Sequence, residues 1–171
     1  MTFKTACVGK HIRAFLLPPL TRRFAIRASI IAIAATGFFS TICLPMKIRG
    51  ASMMPTYPEH GFTFCWRPAF WFKSPRHGDV VILRYTGRQT ALLKRIVGLP
   101  GDTIAFESGN LIRNGHVIVE PYTSNVCDWQ LEPRVVSQNH IYVVGDNRTV
   151  DIDTHMFGEI DEKRLLGTPL W

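Results

Sequence analysis

The chain of 171 residues has no acidic residue ahead of its one long apolar run, while Lys4, Lys10, Arg13, Arg22, Arg23 and Arg27 all precede it. That leader holds nearly all of the formal net charge of +7 and leaves the rest almost neutral. A nucleic-acid binder carries its basic excess on a folded face. This one-sided leader follows the positive-inside rule instead, and it argues against a nucleic-acid partner. Cysteine is scarce: Cys7, Cys43, Cys65 and Cys127 are too few for a disulfide scaffold. Only Cys65 and Cys127 lie well beyond the run, as a bonded pair in an oxidising compartment or as two free buried thiols. The six histidines are scattered, with no short metal-ligand spacing, so no metal site is expected. There is no Gly-x-Ser-x-Gly elbow, phosphate loop or dinucleotide fingerprint, and no cofactor is expected. Repeats and low-complexity tracts are missing. After Pro45 helical periodicity is missing too, beyond one turn at 161–165.

What is present begins with the apolar run, 28–44, uncharged and closed by Pro45. At about 1.5 Å per residue it is just long enough to cross a hydrocarbon core. A basic leader this long, with no small-x-small pair closing the run, reads as an uncleaved anchor rather than a removed signal peptide. The expected layout is a cytoplasmic leader at 1–27, a transmembrane anchor at 28–45 and an exported domain at 46–171. The expected location is a bacterial inner membrane, single-pass, with the exported domain on the extracytoplasmic side.

Beyond Pro45 apolar and polar residues alternate at period two, and turn signals come often. Strands are expected at 62–66, 79–85, 89–97, 103–107, 111–113, 117–119 and 140–144, with Asn114-Gly115 as a hairpin turn. This argues a mainly β domain, barrel-like or of packed sheets. The less regular, more polar stretch 108–138 reads as an inserted hairpin subdomain. The aromatic cluster Phe62, Phe64, Trp66, Phe70, Trp71 and Phe72 is either strand core or a rim reaching the membrane interface.

Two residues carry candidate chemistry. Ser52 lies in Gly50-Ala51-Ser52-Met53-Met54-Pro55, between small residues and a proline that turns the chain away, as a nucleophile on an approachable shelf. In a strand, Lys94 shares a face with Leu92 and Ile96. Such desolvation disfavours the ammonium and leaves an amine able to act as general base toward a serine hydroxyl.

Four stretches then stand in order: 50–56 (GASMMPT), 76–81 (RHGDVV), 94–102 (KRIVGLPGD) and 145–148 (GDNR). Together they resemble the bacterial type I signal peptidases, over most of the chain from Ile48 onward. The resemblance implies that family's antiparallel β-sheet core and a Ser/Lys dyad that cleaves signal peptides from exported precursors after small-x-small sites. Ser52 matches the nucleophile and Lys94 the general base, with Asp146, Arg148, Asp151 and Asp153 in supporting positions. The Ser52 backbone N–H would serve the oxyanion hole, and Gly50 stands where some relatives add a hydroxyl. By the same analogy Ile48, Gly50, Met53, Tyr57, Leu92 and Leu93 line the substrate pockets. Asp151 departs from the pattern, standing where the family places a hydroxyl that orients the lysine. A carboxylate there would favour the ammonium, unless Thr149 or Thr154 takes over the steering. The expected partners are exported precursors and inner-membrane lipid. Two variants within the family remain: a dedicated conjugation or pilin-processing peptidase, and a catalytically inactive peptide-binding homologue. A self-cleaving repressor-type Ser/Lys protease shares the Ser-Met-x-Pro signal, but the anchor and the 94–102 stretch argue against it.

Overall fold

A computed structural model describes residues 21–84, 91–123, 127–149 and 158–170. The chain divides into two units, Met1–Ser40 and Thr41–Trp171. The described part of the first is nearly all of helix α1, Arg22–Thr41, whose closing residue Thr41 opens the second. Its 20 residues are long and apolar enough to cross a membrane, and none of them is buried. The helix starts earlier and stops sooner than the apolar run. The chain is already a strand at Cys43, so the last residues of the expected anchor belong to the sheet. β-branching does not set this boundary, since Ile30, Ile31 and Ile33 are all helical; Pro45 does, because it has no N–H for a helical bond.

The second unit is two antiparallel sheets. The larger has seven strands: β1 (Cys43–Lys47), β2 (Phe62–Trp66), β3 (Val80–Arg84), β4 (Ala91–Gly98), β9 (His140–Val144), β10 (Gly158–Asp161) and β11 (Leu165–Pro169). Their spatial order is β1-β2-β11-β3-β4-β9-β10. The smaller has four: β5 (Thr103–Glu107), β6 (Asn110–Arg113), β7 (His116–Val117) and β8 (Leu131–Val135), ordered β7-β6-β5-β8. A short 3-10 turn at Glu162–Arg164 stands where one helical turn is expected, capped by Asp161, whose carboxylate accepts from Lys163 N.

Strand position explains strand composition. β9 lies inside the larger sheet, and Ile141, Tyr142, Val143 and Val144 are all buried, so it reads as a continuous apolar run rather than an alternation. At the edge of the smaller sheet β8 carries Glu132, Pro133 and Arg134, all exposed, residues that discourage pairing with another chain. Val97, Tyr142 and Val144 of the larger sheet pack with Ile104, Phe106 and Leu111 of the smaller, together with Trp129 and Val136. This core joins the two sheets. A second cluster, Val81, Leu83, Ile96, Ile141 and Val143, covers the other face of β3, β4 and β9.

The hairpin at Asn114-Gly115 is found, both residues with positive φ (53° and 79°). The stretch 108–138 holds β6, β7 and β8 of the smaller sheet, while β5 of that sheet precedes it. The turn 98–102 separates the sheets. There Asp102 accepts from Leu99 N (2.8 Å) and Asn114 Nδ2 (2.8 Å), and lies 2.6 Å from His77 Nε2. That stretch of the third motif therefore builds a junction. Cys43, Cys65 and Cys127 are free thiols, so the pairing of Cys65 with Cys127 is not made. Cys65 lies in β2, whereas Cys127 approaches the Gly109 carbonyl beside the smaller sheet. The aromatic cluster is divided: Phe70 packs on the second core cluster, while Phe62, Trp71 and Phe72 are exposed.

Candidate active site

Ser52 lies in a loop between β1 and β2, half-buried. The loop is held by its own backbone: Met54 N donates to Ala51 O (3.1 Å) and Tyr57 N to Met53 O (2.9 Å). Ile48 N donates to Gly61 O (2.8 Å) at its base. Gly50 has φ +88°, a left-handed conformation that side chains resist, and the space where a Cβ would sit is open. Glycine is thus required there by backbone shape, with free room beside the serine as a consequence. Of the expected pocket residues, Ile48 and Met53 are buried, Tyr57, Leu92 and Leu93 are half-buried and Gly50 is exposed.

Lys94 lies in β4 and is 1% exposed. It pairs with Val81 of β3, so the two share a face with Ile96. These apolar neighbours withhold the water that an ammonium needs. Burial pulls Lys94 down from the ordinary 10.5 to about 8, against the opposing pull of the Asp146 charge.

The segment after β9 links the two. Val144 pairs with Arg95, so residues 145–147 leave the strand alongside Lys94. Asn147 then clasps the serine loop, its N–H donating to Ser52 O (3.0 Å) and its Nδ2 to Ala51 O (3.0 Å). Thr149 donates its hydroxyl to Asn147 Oδ1 (2.6 Å), which braces that clasp.

A buried network surrounds this segment. Asp146 is 1% exposed and accepts from Arg95 Nε (2.8 Å), Arg95 Nη2 (2.6 Å) and Thr56 Oγ1 (2.5 Å). Arg95 also donates to Gly78 O (2.8 Å) and stacks on the Tyr122 ring, 3.8 Å from its centroid. Arg148, 2% exposed, donates Nε to Gly145 O (2.9 Å) and its two terminal nitrogens to Glu120 (2.9 and 2.6 Å). Tyr122 donates its hydroxyl to Glu120 Oε1 (2.8 Å). Burial pushes the Tyr122 phenol up, and Glu120 adds to the rise.

Asp146 and Arg148 are therefore buried members of one cluster. Asp151 and Asp153 lie outside the described residues, as does Thr154. Sequence reasoning missed Thr56, Arg95, Glu120, Tyr122 and Asn147. Of the three arginines in the motif stretches, Arg95 takes Asp146, while Arg148 takes a carboxylate from outside them, Glu120, which no motif spacing points to. Among the described residues no group of three or more His, Cys, Asp or Glu could hold a metal ion.

The chain is similar to known proteins over most of its length. The family model described as "Signal peptidase, peptidase S26" matches residues 21–170. The chain is 28% identical over 163 residues to "Signal peptidase I V" of Bacillus subtilis (strain 168), covering 86% of this chain and 96% of that one. It is 29% identical over 155 residues to "Signal peptidase I" of Bacillus licheniformis (84% and 83%). It is 27% identical over 143 residues to "Signal peptidase I" of Leptolyngbya laminosa (79% and 70%). A crystal structure of a signal peptidase I from Enterococcus faecalis aligns with a TM-score of 0.46 at 24% identity, over 56% of this chain and 97% of that one. None of these names supports a conjugation-specific variant. The chain belongs to the signal peptidase family, peptidase S26, serine endopeptidases that remove signal peptides from secreted precursors.

Proposed function

We propose that Ser52 is the nucleophile of this peptidase and Lys94 its general base. The observation that carries this reading is the buried Lys94 amine beside a segment whose Asn147 grips the Ser52 backbone. In the first step Lys94 Nζ takes the Ser52 hydroxyl proton as Oγ bonds to the scissile carbonyl carbon. The Ser52 backbone N–H stabilises the resulting oxyanion. The C–N bond then breaks, and the leaving amine takes its proton from the Lys94 ammonium. A water, deprotonated by the same amine, releases the acyl group and restores Ser52.

The substrate lies along the sheet as an added strand, main-chain bonds giving affinity and small pockets selecting small-x-small side chains. Tyr57, Leu92 and Leu93 are half-buried and present partly exposed surface for this purpose, while Ile48 and Met53 are buried. The positive leader keeps the N-terminus in the cytoplasm, helix α1 spans the inner membrane and the β domain works outside. Exposed Trp71 and Phe72, followed by exposed Lys73, face that membrane's lipid.

The test uses the full chain in proteoliposomes with a precursor carrying a small-x-small site. Wild-type protein is expected to cut at that site, and Ser52→Ala and Lys94→Ala to abolish cutting while folding and inserting normally. Full activity in either variant removes the dyad. A folded wild-type chain that binds precursors without cutting them is the inactive homologue.

A further inference from the structure

The segment 118–123 follows β7 of the smaller sheet, and two of its side chains, Glu120 and Tyr122, each hold an arginine. Ile118 N donates to Leu111 O (2.9 Å), which fixes the segment to β6. Glu120, its side chain 7% exposed, takes both terminal nitrogens of Arg148. Tyr122 lies under Arg95, the residue next to Lys94. A guanidinium over an aromatic face is attracted by the ring quadrupole, more strongly once it is out of water. The same guanidinium makes the two-point pair with Asp146. Tyr122 is itself fixed, since its hydroxyl is bound by Glu120.

We infer that Tyr122 is a positioning residue: its ring holds the Arg95 guanidinium on Asp146, and so keeps that carboxylate neutralised beside Lys94. The inference rests on Lys94 acting as the base. Asp146 is the charged group that most favours the Lys94 ammonium. Moving Arg95 away uncovers that carboxylate and removes a neighbouring cation, and both changes favour the ammonium. Charged and titratable groups among the described residues reach this region from four elements. They are Arg95 of β4, Asp146 and Arg148 after β9, Glu120 and Tyr122 of the segment, and Tyr57 of the serine loop. β3 presents uncharged Val81 opposite Lys94.

The experiment measures kcat/KM against pH for the full chain in proteoliposomes, for wild type, Tyr122→Leu, Tyr122→Met and Tyr122→Phe. Met keeps an unbranched apolar side chain without a ring face, should Leu fold poorly. Phe keeps the ring and loses the hydroxyl. The Leu and Met variants are expected to move the acid limb upward by about one pH unit. That is about a tenfold loss near neutral pH, recovered in alkali. The Phe variant is expected to keep the wild-type limb. A uniform fall in rate with the limb unmoved means that Tyr122 only supports the fold, and overturns the inference. So does a Phe variant that shifts as far as Leu. A wild type with no Ser52-dependent cleavage overturns the dyad reading instead, before Tyr122 is in question.

Discussion

Arg95 and Asp146 form a two-point ion pair, Nε to Oδ1 at 2.8 Å and Nη2 to Oδ2 at 2.6 Å, between the strand that carries Lys94 and the segment that grips Ser52. The Asp146 side chain is fully buried and that of Arg95 is nearly so. Removing one partner of such a pair leaves a buried charge uncompensated, at a cost of about 3–5 kcal/mol. Arg95→Leu is therefore expected to lower unfolding stability by that amount in urea titrations. A loss below about 1 kcal/mol, the scale of an exposed pair, would show that the carboxylate finds other compensation.

Lys94 opposes the fold it serves. Its ammonium is carried readily by the unfolded chain and poorly by the folded one, because burial lowers its value from 10.5 to about 8. The cost is fully present below about pH 8 and shrinks as pH rises toward the unfolded value. Lys94→Met, similar in shape and uncharged, is expected to gain about 3 kcal/mol near neutral pH, to lose this pH dependence and to lose all cleavage. Chemical unfolding at several pH values reads all but the last. A variant no more stable than wild type would mean that the amine is well solvated.

Gly50 isolates backbone shape from space. A methyl group there meets nothing within 4 Å, yet φ is +88°. Gly50→Ala is expected to cost about 1–2 kcal/mol through conformation alone and to slow cleavage by disturbing the Ser52 loop. Gly50→Asn, which tolerates left-handed backbone, should recover part of both. Equal losses in the two variants would point to contact rather than conformation. Thermal unfolding and initial rates separate these outcomes.

Local pattern revealed the elements whose signal is local. β3, β4, β5 and β9 are visible as apolar runs, and Asn114-Gly115 as a turn. β1 was hidden because Cys43 and Leu44 continue the apolar run of the helix. β8 was hidden by its edge position, where Glu132, Pro133 and Arg134 look like loop. β10 has only four residues, and β11, interrupted by Gly167 and Pro169, pairs with β2 and β3 far off in the chain. The burial of Lys94 was legible because its apolar neighbours are adjacent in sequence. The Tyr122–Arg95 and Glu120–Arg148 contacts were not. They join residues that only the packing of two sheets brings together, and no spacing encodes them.

The pH dependence of kcat/KM for precursor cleavage by the wild-type full chain tests the buried-amine account most directly. An acid limb with its midpoint near pH 8 is expected, falling about tenfold per unit below it, as one neutral lysine base requires. A limb near 10.5, the value of an ordinary hydrated lysine, or a rate independent of pH across that range, would contradict it.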